Sequence, residues 1–177
     1  LMPMLQGKTV TLREFRDTDL PVLAAIRNDV ELQRALMAAP RPNSRERVED
    51  WLQRRANDPQ GAFFVVAVSI GDVPIGFLQL VAIDMLSRHA DLGICLTPEQ
   101  HGLGRATEAL ALLEGYASGV LGLRKIVLHV LANNARAIAF YERRGFRRVG
   151  VLSEHHYHRG EFHDVLIMEK RIDAPPP

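Results

Sequence analysis

The chain has 177 residues, of which 47% are hydrophobic and 24% charged, and these values predict one globular domain with an ordinary apolar core. Its 22 Lys and Arg residues nearly balance its 21 Asp and Glu residues, so no strong positive field favours nucleic acid, and we expect no nucleic-acid partner. A chain of this length does not need disulfide or metal staples. We expect a single domain over residues 1–177, with residues 1–6 and 172–177 frayed.

Neither the start of the chain nor its apolar runs predict a membrane association. The longest uncharged run, residues 59–71, has 13 residues, whereas a membrane-spanning helix needs about 18 or more. The first residues show no basic segment followed by an apolar stretch, as a secretory signal does. The one cysteine, Cys95, lies in an apolar run and cannot form an internal disulfide, so we expect a cytoplasmic protein.

The first part of the chain is typical of one strand followed by helices. Residues 8–15 alternate between polar and apolar side chains, as a strand does. Asp17 or Asp19 can cap a helix over residues 20–29, and a second short helix covers residues 30–37. We therefore expect helices to cover the beginning of the sheet.

A third helix and a hairpin follow. Ser44 can cap a helix whose apolar residues recur at i, i+3 and i+4, namely Val48, Trp51 and Leu52. Residues 63–69 and 74–83 are apolar runs rich in β-formers, joined by a short turn-forming link, and this pattern predicts an antiparallel hairpin.

The rest of the chain alternates between strands and helices. Four further strands are predicted, over residues 89–96, 125–131, 146–152 and 162–171. One helix is predicted between the first two of them, with a stop at Gly122, and another over residues 134–144. Because a strand, a helix and a strand form a crossover unit, residues 89–96 and 125–131 should lie parallel in a mixed α+β sheet.

The segment EQHGLGRATEAL, residues 99–110, opens the crossover helix with two glycines. The first N–H groups of a helix have no acceptor within the helix. Gly102 and Gly104 carry no side chains to shield the backbone, so the N–H groups from about Gly102 to Thr107 can converge on phosphate oxygens. A plain turn is the alternative. A nucleotide P-loop and a Rossmann fingerprint both fail, because neither residue pattern is present.

The hexapeptide HGLGRA, residues 101–106, resembles the pyrophosphate loop of the GNAT superfamily of acyl-CoA-dependent N-acetyltransferases, whose pattern is Gln/Arg-x-x-Gly-x-Gly/Ala. His101 departs from the usual Gln or Arg, so the resemblance assigns its side chain no specific role. The resemblance implies that the backbone of this loop binds the diphosphate of acetyl-CoA, through His101, Gly102, Leu103, Gly104, Arg105, Ala106 and Thr107.

The segment NNARAIAFYERRGF, residues 133–146, closely resembles a second pattern of the same superfamily, Asn-x-x-Ala-x-x-Φ-Tyr-Glu-x-x-Gly-Phe, where Φ is apolar. The two motifs are separated by one helix and one strand, as in the family. The resemblance covers about residues 75–170 and is nearest the branch of ribosomal-protein N-terminal and spermidine acetyltransferases. It implies a mostly antiparallel, seven-stranded sheet with a central, splayed parallel strand pair and helices on both faces.

The resemblance also implies roles for two residues of the second motif. Tyr141 would contact the sulfur of acetyl-CoA and donate a proton to the departing thiolate, which a phenol with a pKa of about 10 can do. Without the motif, Tyr141 would be a helix tyrosine that packs on the sheet. Asn134 would bind the cofactor, or fix the loop as a simple N-cap.

Family members bind the pantetheine arm of the cofactor like an added strand where the two parallel strands separate. In this chain the implied backbone partners are Ile94, Cys95 and Leu96, and one of their N–H groups would polarise the thioester carbonyl. The Cys95 side chain itself is expected to be a small core residue rather than a nucleophile, because no base or helix N-terminus is evident beside it.

Two residues are candidates for handling the amine that accepts the acetyl group. His129 lies five residues before Asn134, where some relatives place a Glu base, and neutral imidazole can accept a proton near pH 7. A strand histidine bonded to a neighbour is the alternative. Asp91 on the adjacent strand could orient the amine, or simply pair with a surface cation.

The remaining expectations concern metals and partners. We expect no metal, because strand alternation places His155 and His156 on opposite faces and no ligand spacing completes a tetrahedral site. We expect acetyl-CoA as co-substrate and a small primary amine as acceptor: a polyamine, an amino sugar or an amino acid. Asp29, Glu31 and Asp91 are few for a polyamine cleft. An N-terminal acetyltransferase of a protein substrate and a non-catalytic acyl-CoA-binding module are the alternatives, and an exposed final hairpin makes a homodimer plausible.

Overall fold

The computed structural model describes residues 4–173, which form one eight-stranded sheet and five α-helices. The helices are α1 (Leu20–Arg27), α2 (Val30–Ala35), α3 (Arg45–Ala56), α4 (Arg105–Gly119) and α5 (Ala135–Arg143). The strands are β1 (Leu5–Gln6), β2 (Val10–Arg13), β3 (Ala62–Val68), β4 (Val73–Asp84), β5 (His89–Leu96), β6 (Lys125–Leu131), β7 (Arg147–His158) and β8 (Glu161–Arg171).

The strands lie in the order β1-β2-β3-β4-β5-β6-β8-β7. All neighbouring strands are antiparallel except β5 and β6, which are parallel with His89 opposite Lys125 and Asp91 opposite Val127. The helix between them, α4, makes the crossover that parallel strands require. The predicted mixed sheet with a central parallel pair is therefore confirmed.

The sheet has eight strands rather than the predicted seven, because β1 adds a short edge. Leu5 lies opposite Leu12 and Gln6 opposite Thr11, so the expectation that residues 1–6 are frayed is wrong for these two residues. A strand of two residues is too short to produce a detectable alternation. At the other end, the amide of Ile172 donates to the carbonyl of Arg124 at 2.9 Å, so Ile172 is also held. Residues 1–3 and 174–177 lie outside the described residues.

Of the predicted helix caps, those at Ser44 and Asn134 are present, and the side-chain cap of α1 by Asp17 or Asp19 is not found. The Ser44 hydroxyl accepts from the amide of Arg47 at 3.2 Å, as expected at the start of α3. Neither Asp17 nor Asp19 caps α1 through its side chain. The buried carboxylate of Asp19 instead accepts two hydrogen bonds from the guanidinium of Arg13, at 2.8 and 2.9 Å, and one from the amide of Arg16 at 2.9 Å. The helix α4 ends at Gly119, three residues before the predicted stop at Gly122.

The sheet has an apolar core on each face. One core joins the sheet to α4 and α5 and includes Leu110, Leu113 and Ile138. The other joins the sheet to α1 and α3 and includes Leu23, Trp51 and Leu52. Side chains of β5 alternate between the two: Leu92 and Leu96 belong to the first core and Cys95 to the second. The central strands are thus covered on both sides, and any ligand reaching them must enter where strands separate.

Candidate active site

The parallel strands β5 and β6 separate in the middle of the sheet. Their pairing ends at Asp91 and Val127, whereas the pairing of β5 with β4 continues to Leu96. The edge of β5 beyond Asp91 therefore faces β6 without pairing with it. An unpaired strand edge of this kind can bind an extended ligand through main-chain hydrogen bonds. The backbone predicted for this role, Ile94, Cys95 and Leu96, lies along this gap.

A row of main-chain N–H groups lies at the start of α4. Gly102 and Gly104 have φ angles of +78° and +77°, in the left-handed region that favours glycine. Within the described residues, no protein acceptor is found for the amides of residues 102–107, and the first helical hydrogen bond runs from Glu108 to Gly104. No heavy atom lies within 4 Å of a Cβ placed on Gly102 or Gly104. The amides are therefore open to an anion, which helix N-termini favour.

The gap and the amide row open into one cavity of about 710 Å3, a size typical of small-molecule sites. Two of the residues predicted for the site, Leu103 and Arg105, do not line this cavity. The side chain of Leu103 is 59% exposed and the guanidinium of Arg105 bonds the side chain of Gln100. The structure brings the other predicted residues together on its wall: Asp91, Ile94, Cys95, Leu96, His101, Gly102, Gly104, Ala106, Thr107, His129, Asn134 and Tyr141.

Tyr141 enters the cavity from α5. Its ring packs against Phe140 and Phe146, with ring centroids 5.3 and 5.6 Å away. No hydrogen bond from its hydroxyl to another side chain or to the backbone is found in residues 4–173. Burial raises the pKa of Tyr141 above its ordinary value of 10.0, and the neighbouring Cys95 raises it further. The hydroxyl is therefore protonated across the physiological range and available as a donor.

Cys95 is buried with 6% exposure, in agreement with its prediction as a core residue. Burial raises the pKa of its thiol to about 12, with a smaller contribution from the negative charge of Asp29. Since the thiolate is the nucleophilic form of cysteine, this thiol is inert at neutral pH.

The side chain of His101 is held from both sides. Its Nδ1 lies 2.6 Å from Nη1 of Arg136, and its Nε2 lies 3.2 Å from the carbonyl oxygen of Leu96. Because arginine can only donate, Nδ1 must accept and Nε2 must carry the proton. Burial lowers the pKa of His101 and the charge of Arg136 lowers it further. The imidazole thus links the amide row to the end of β5.

His129 and Asp91 line the cavity from adjacent strands. Leu128 and Val130 belong to the core beneath α4 and α5, so strand alternation places His129 on the opposite face, toward α1 and α3. Asp91 lies on that same face, because Leu92 points toward α4. The two side chains therefore lie opposite the Tyr141 side of the sheet. His129 is exposed and Asp91 is half-buried.

Asn134 caps α5, and its side-chain oxygen accepts from the amide of Ala137 at 3.2 Å. It also lines the cavity. Of the two alternatives, the N-cap is thus present, while the position of Asn134 on the cavity wall is compatible with cofactor contact.

Sequence reasoning missed a polar group at the α1–α3 end of the cavity. Arg27 and Arg55 line this end, together with Trp51, Gln79 and Asp91. The guanidinium of Arg27 lies over the ring of Trp51, 4.6 Å from its centroid. No local sequence signal marks these residues, because they come from two helices and two strands.

In residues 4–173, no group of three or more His, Cys, Asp or Glu side chains is arranged to hold a metal ion. None of the helices in that range combines the length and the apolar character needed to cross a bilayer.

The sequence of the chain is similar to those of known acetyltransferases. Residues 9–147 match the family model described as acetyltransferase (GNAT) domain. Spermidine N(1)-acetyltransferase of Vibrio cholerae is 29% identical over 159 residues, which cover 90% of this chain and 91% of that protein. The corresponding enzyme of Escherichia coli K12 is 29% identical over 165 residues, 93% of this chain and 87% of that protein.

A solved structure shows the same likeness in three dimensions. The crystal structure of spermidine N-acetyltransferase from Vibrio cholerae in complex with CoA and spermine superposes with a TM-score of 0.86 at 28% identity. The superposition covers 93% of this chain and 96% of that one.

Proposed function

The chain belongs to the GNAT acetyltransferase domain family and is an acetyl-CoA-dependent N-acetyltransferase that acts on a small-molecule amine; from this premise we propose that the amine attacks the thioester directly, within the gap between β5 and β6. The single observation that carries the proposal is the continuous cavity. It joins the open amides of α4, the unpaired edge of β5 and the Tyr141 side chain.

The cofactor half of the cavity is formed by α4, α5 and β5. The amides of residues 102–107 bind the diphosphate of acetyl-CoA, and Arg136 adds a positive charge beside them. The pantetheine arm lies along Ile94, Cys95 and Leu96, and a main-chain N–H of this edge polarises the thioester carbonyl. The thioester carbon is then presented at the gap between the strands.

The acceptor approaches from the α1–α3 face. An ammonium group must first lose a proton, which His129 accepts directly or through water, while Asp91 orients the nitrogen. The neutral amine forms a bond to the thioester carbon, and the carbon–sulfur bond breaks. The departing thiolate takes a proton from Tyr141, the acetylated nitrogen loses its second proton through water, and that proton restores the Tyr141 hydroxyl, so that the products are an N-acetylated amine and CoA with a free thiol.

The test is a thiol-release assay with acetyl-CoA and a panel of amines, combined with thermal unfolding. Acetyl-CoA at 100 times its Kd should stabilise the fold by about 2.7 kcal/mol. Tyr141→Phe should lower kcat by roughly 10²–10⁴, the usual contribution of a general acid, and leave acetyl-CoA binding unchanged. A non-catalytic acyl-CoA-binding module would have no turnover to lose.

Tyr116→Phe is the matched control. Tyr116 lies on α4 and packs edge-on against Phe64 at 5.4 Å, away from the cavity wall, so kcat should stay near that of the wild type. Wild-type turnover in Tyr141→Phe would rule out Tyr141 as the proton donor. Absence of both thiol release and stabilisation by acetyl-CoA would overturn the proposed function itself.

A further inference from the structure

The acceptor end of the cavity, on the α1–α3 face, includes Arg27, Trp51, Arg55, Gln79, Asp91 and His129. It holds two guanidinium groups and one carboxylate. Charge is therefore in positive excess at the place where the acceptor amine must lie. A polycationic acceptor would be repelled by this excess, whereas an acceptor with an anionic group would be attracted.

The two arginines are not neutralised by the protein. In the described part of the chain, no salt bridge joins Arg27 or Arg55 to a carboxylate. The Nε of Arg27 is buried without a hydrogen-bond partner there, and its Nη1 donates to the neutral side chain of Gln33 at 3.3 Å. A buried donor without an acceptor costs free energy, and among the described residues no carboxylate offsets the charge of this guanidinium.

The surroundings of Arg27 add to this positive field. Burial lowers the pKa of Arg27, and the charges of Arg55, Arg47 and Arg54 lower it further. The guanidinium of Arg27 also makes a cation–π contact with the ring of Trp51. A planar guanidinium with free N–H groups matches the geometry of a carboxylate.

Two nearby acidic residues, Asp29 and Glu31, lie beyond the wall of this cavity, although the charge of Asp29 reaches Cys95. The Asp29 carboxylate accepts from the amide of Leu32 at 2.9 Å and caps α2. Glu31 binds Arg34 at 3.0 Å and Arg159 at 3.2 Å. Neither Asp29 nor Glu31 lies on the wall of this cavity, which leaves Asp91 as its carboxylate among the described residues.

A carboxylate and an amide side chain lie on the same cavity wall as the arginines. Gln79 is opposite Gly93 and Val81 is opposite Asp91 in the β4–β5 pairing, so Gln79 and Asp91 are diagonal neighbours on one face. Asp91 therefore supplies an acceptor for N–H bonds on the cavity wall that also carries the two arginines.

From this arrangement we infer that the acceptor is an amine that carries a carboxylate on the same small molecule, that is, an amino acid. Asp91 takes the amino group, and Arg27 and Arg55 take the carboxylate. This inference rests on the proposed acetyl transfer and specifies its substrate class. The apolar side chains of Leu32, Leu36 and Trp51 on the same wall leave room for an apolar body.

The experiment compares matched acceptors with the intact protein. Leucine and phenylalanine are each assayed beside their methyl esters and the amines formed by removing the carboxylate, with spermidine as the polycation. The free amino acids should have a kcat/KM about tenfold or more above their esters, the usual effect of a lost hydrogen bond to a charged group. Phosphoethanolamine, whose anion is a phosphate, should be a poorer acceptor than the amino acids.

Arg55→Gln and Arg27→Gln should raise KM for the free amino acids, so that the kcat/KM of each acid approaches that of its methyl ester. Acetyl-CoA binding should stay unchanged. Arg45→Gln on the same helix as Arg55 is the control, because Arg45 is 78% exposed and pairs with Glu49. A purely structural role for Arg27 would lower stability and leave the ratio unchanged, and so would count against the inference.

Calorimetry with leucine and the CoA-loaded protein gives a readout without turnover. Binding that weakens in Arg55→Gln supports the inference, and no binding contradicts it. If spermidine and simple amines are acetylated and amino acids are not, the inference is wrong and the proposed function stands. If no amine releases thiol and acetyl-CoA does not bind, the proposed function fails first.

Discussion

Nη1 of Arg136 lies 2.6 Å from Nδ1 of His101, and this contact joins the first turn of α5 to the loop that precedes α4. The same imidazole donates from Nε2 to the Leu96 carbonyl oxygen at 3.2 Å. The contact with Arg136 requires the neutral form of His101, because Nδ1 must accept, whereas Nε2 can donate to Leu96 in either protonation state. The amide row and the end of β5, which together form the cofactor half of the cavity, are thus coupled through one ring.

His101 should therefore titrate below its ordinary pKa of 6.5, because burial and then the charge of Arg136 disfavour its protonated form. Between the folded and unfolded pKa values the unfolded chain binds more protons, so stability should fall as the pH is lowered through that window. Above it, His101 adds no pH dependence. NMR titration of the imidazole measures the shift, and Arg136→Ala should raise the pKa toward the ordinary value. A pKa above 6.5 in the wild type would contradict the contact.

Gly104→Ala should weaken cofactor binding. The φ angle of +77° at Gly104 disfavours any residue with a Cβ, so unfolding stability should fall by about 1–2 kcal/mol, and the new methyl group projects into the open space beside the amides. The stabilisation produced by acetyl-CoA should also decrease. Gly115→Ala, in the middle of α4 with no heavy atom within 4 Å of its Cβ, should instead increase stability by roughly 0.5–1 kcal/mol and leave acetyl-CoA binding intact.

Cys95 should react slowly with thiol reagents in the folded protein. Burial raises its pKa to about 12, so almost no thiolate is present at pH 8, and reaction requires the thiolate. Labelling with a chromogenic disulfide at pH 8 should be slow in buffer and complete in guanidinium chloride, and acetyl-CoA should slow it further because Cys95 lines the cavity. The chain has a single cysteine, so the signal is unambiguous. Rapid stoichiometric labelling of the native protein would refute the burial.

Asp19→Asn should strongly destabilise the fold. Asp19 and Arg13 are 0% and 1% exposed and form a bidentate pair, so removing the carboxylate charge leaves a buried guanidinium without its main counterion, at a cost of about 3–5 kcal/mol. Chemical unfolding measures the loss. Glu49→Gln, which breaks the exposed pair with Arg45, should cost less than about 1 kcal/mol. Equal effects of the two changes would show that burial of the Arg13 pair is not important.

Local patterns predicted most of the helices and strands. The i, i+3, i+4 spacing in α3 and the caps at Ser44 and Asn134 depend on neighbours within a few residues, and the structure has both caps. The crossover between β5 and β6 also followed from element order and length. Asp19 occupies the N-cap position of α1, but its carboxylate does not cap that helix, because it accepts instead from the guanidinium of Arg13 and the amide of Arg16.

The sequence by itself determined the order of strands and helices, the glycine loop before α4 and the position of Tyr141 one strand further on, because backbone preferences and short motifs act over a few residues. Tertiary structure alone decided where β5 parts from β6 and which charges face the acceptor. Those features depend on distances between residues far apart in the chain, such as Arg27 and Trp51. Electrostatic and packing forces act through space, and only the folded arrangement specifies that space.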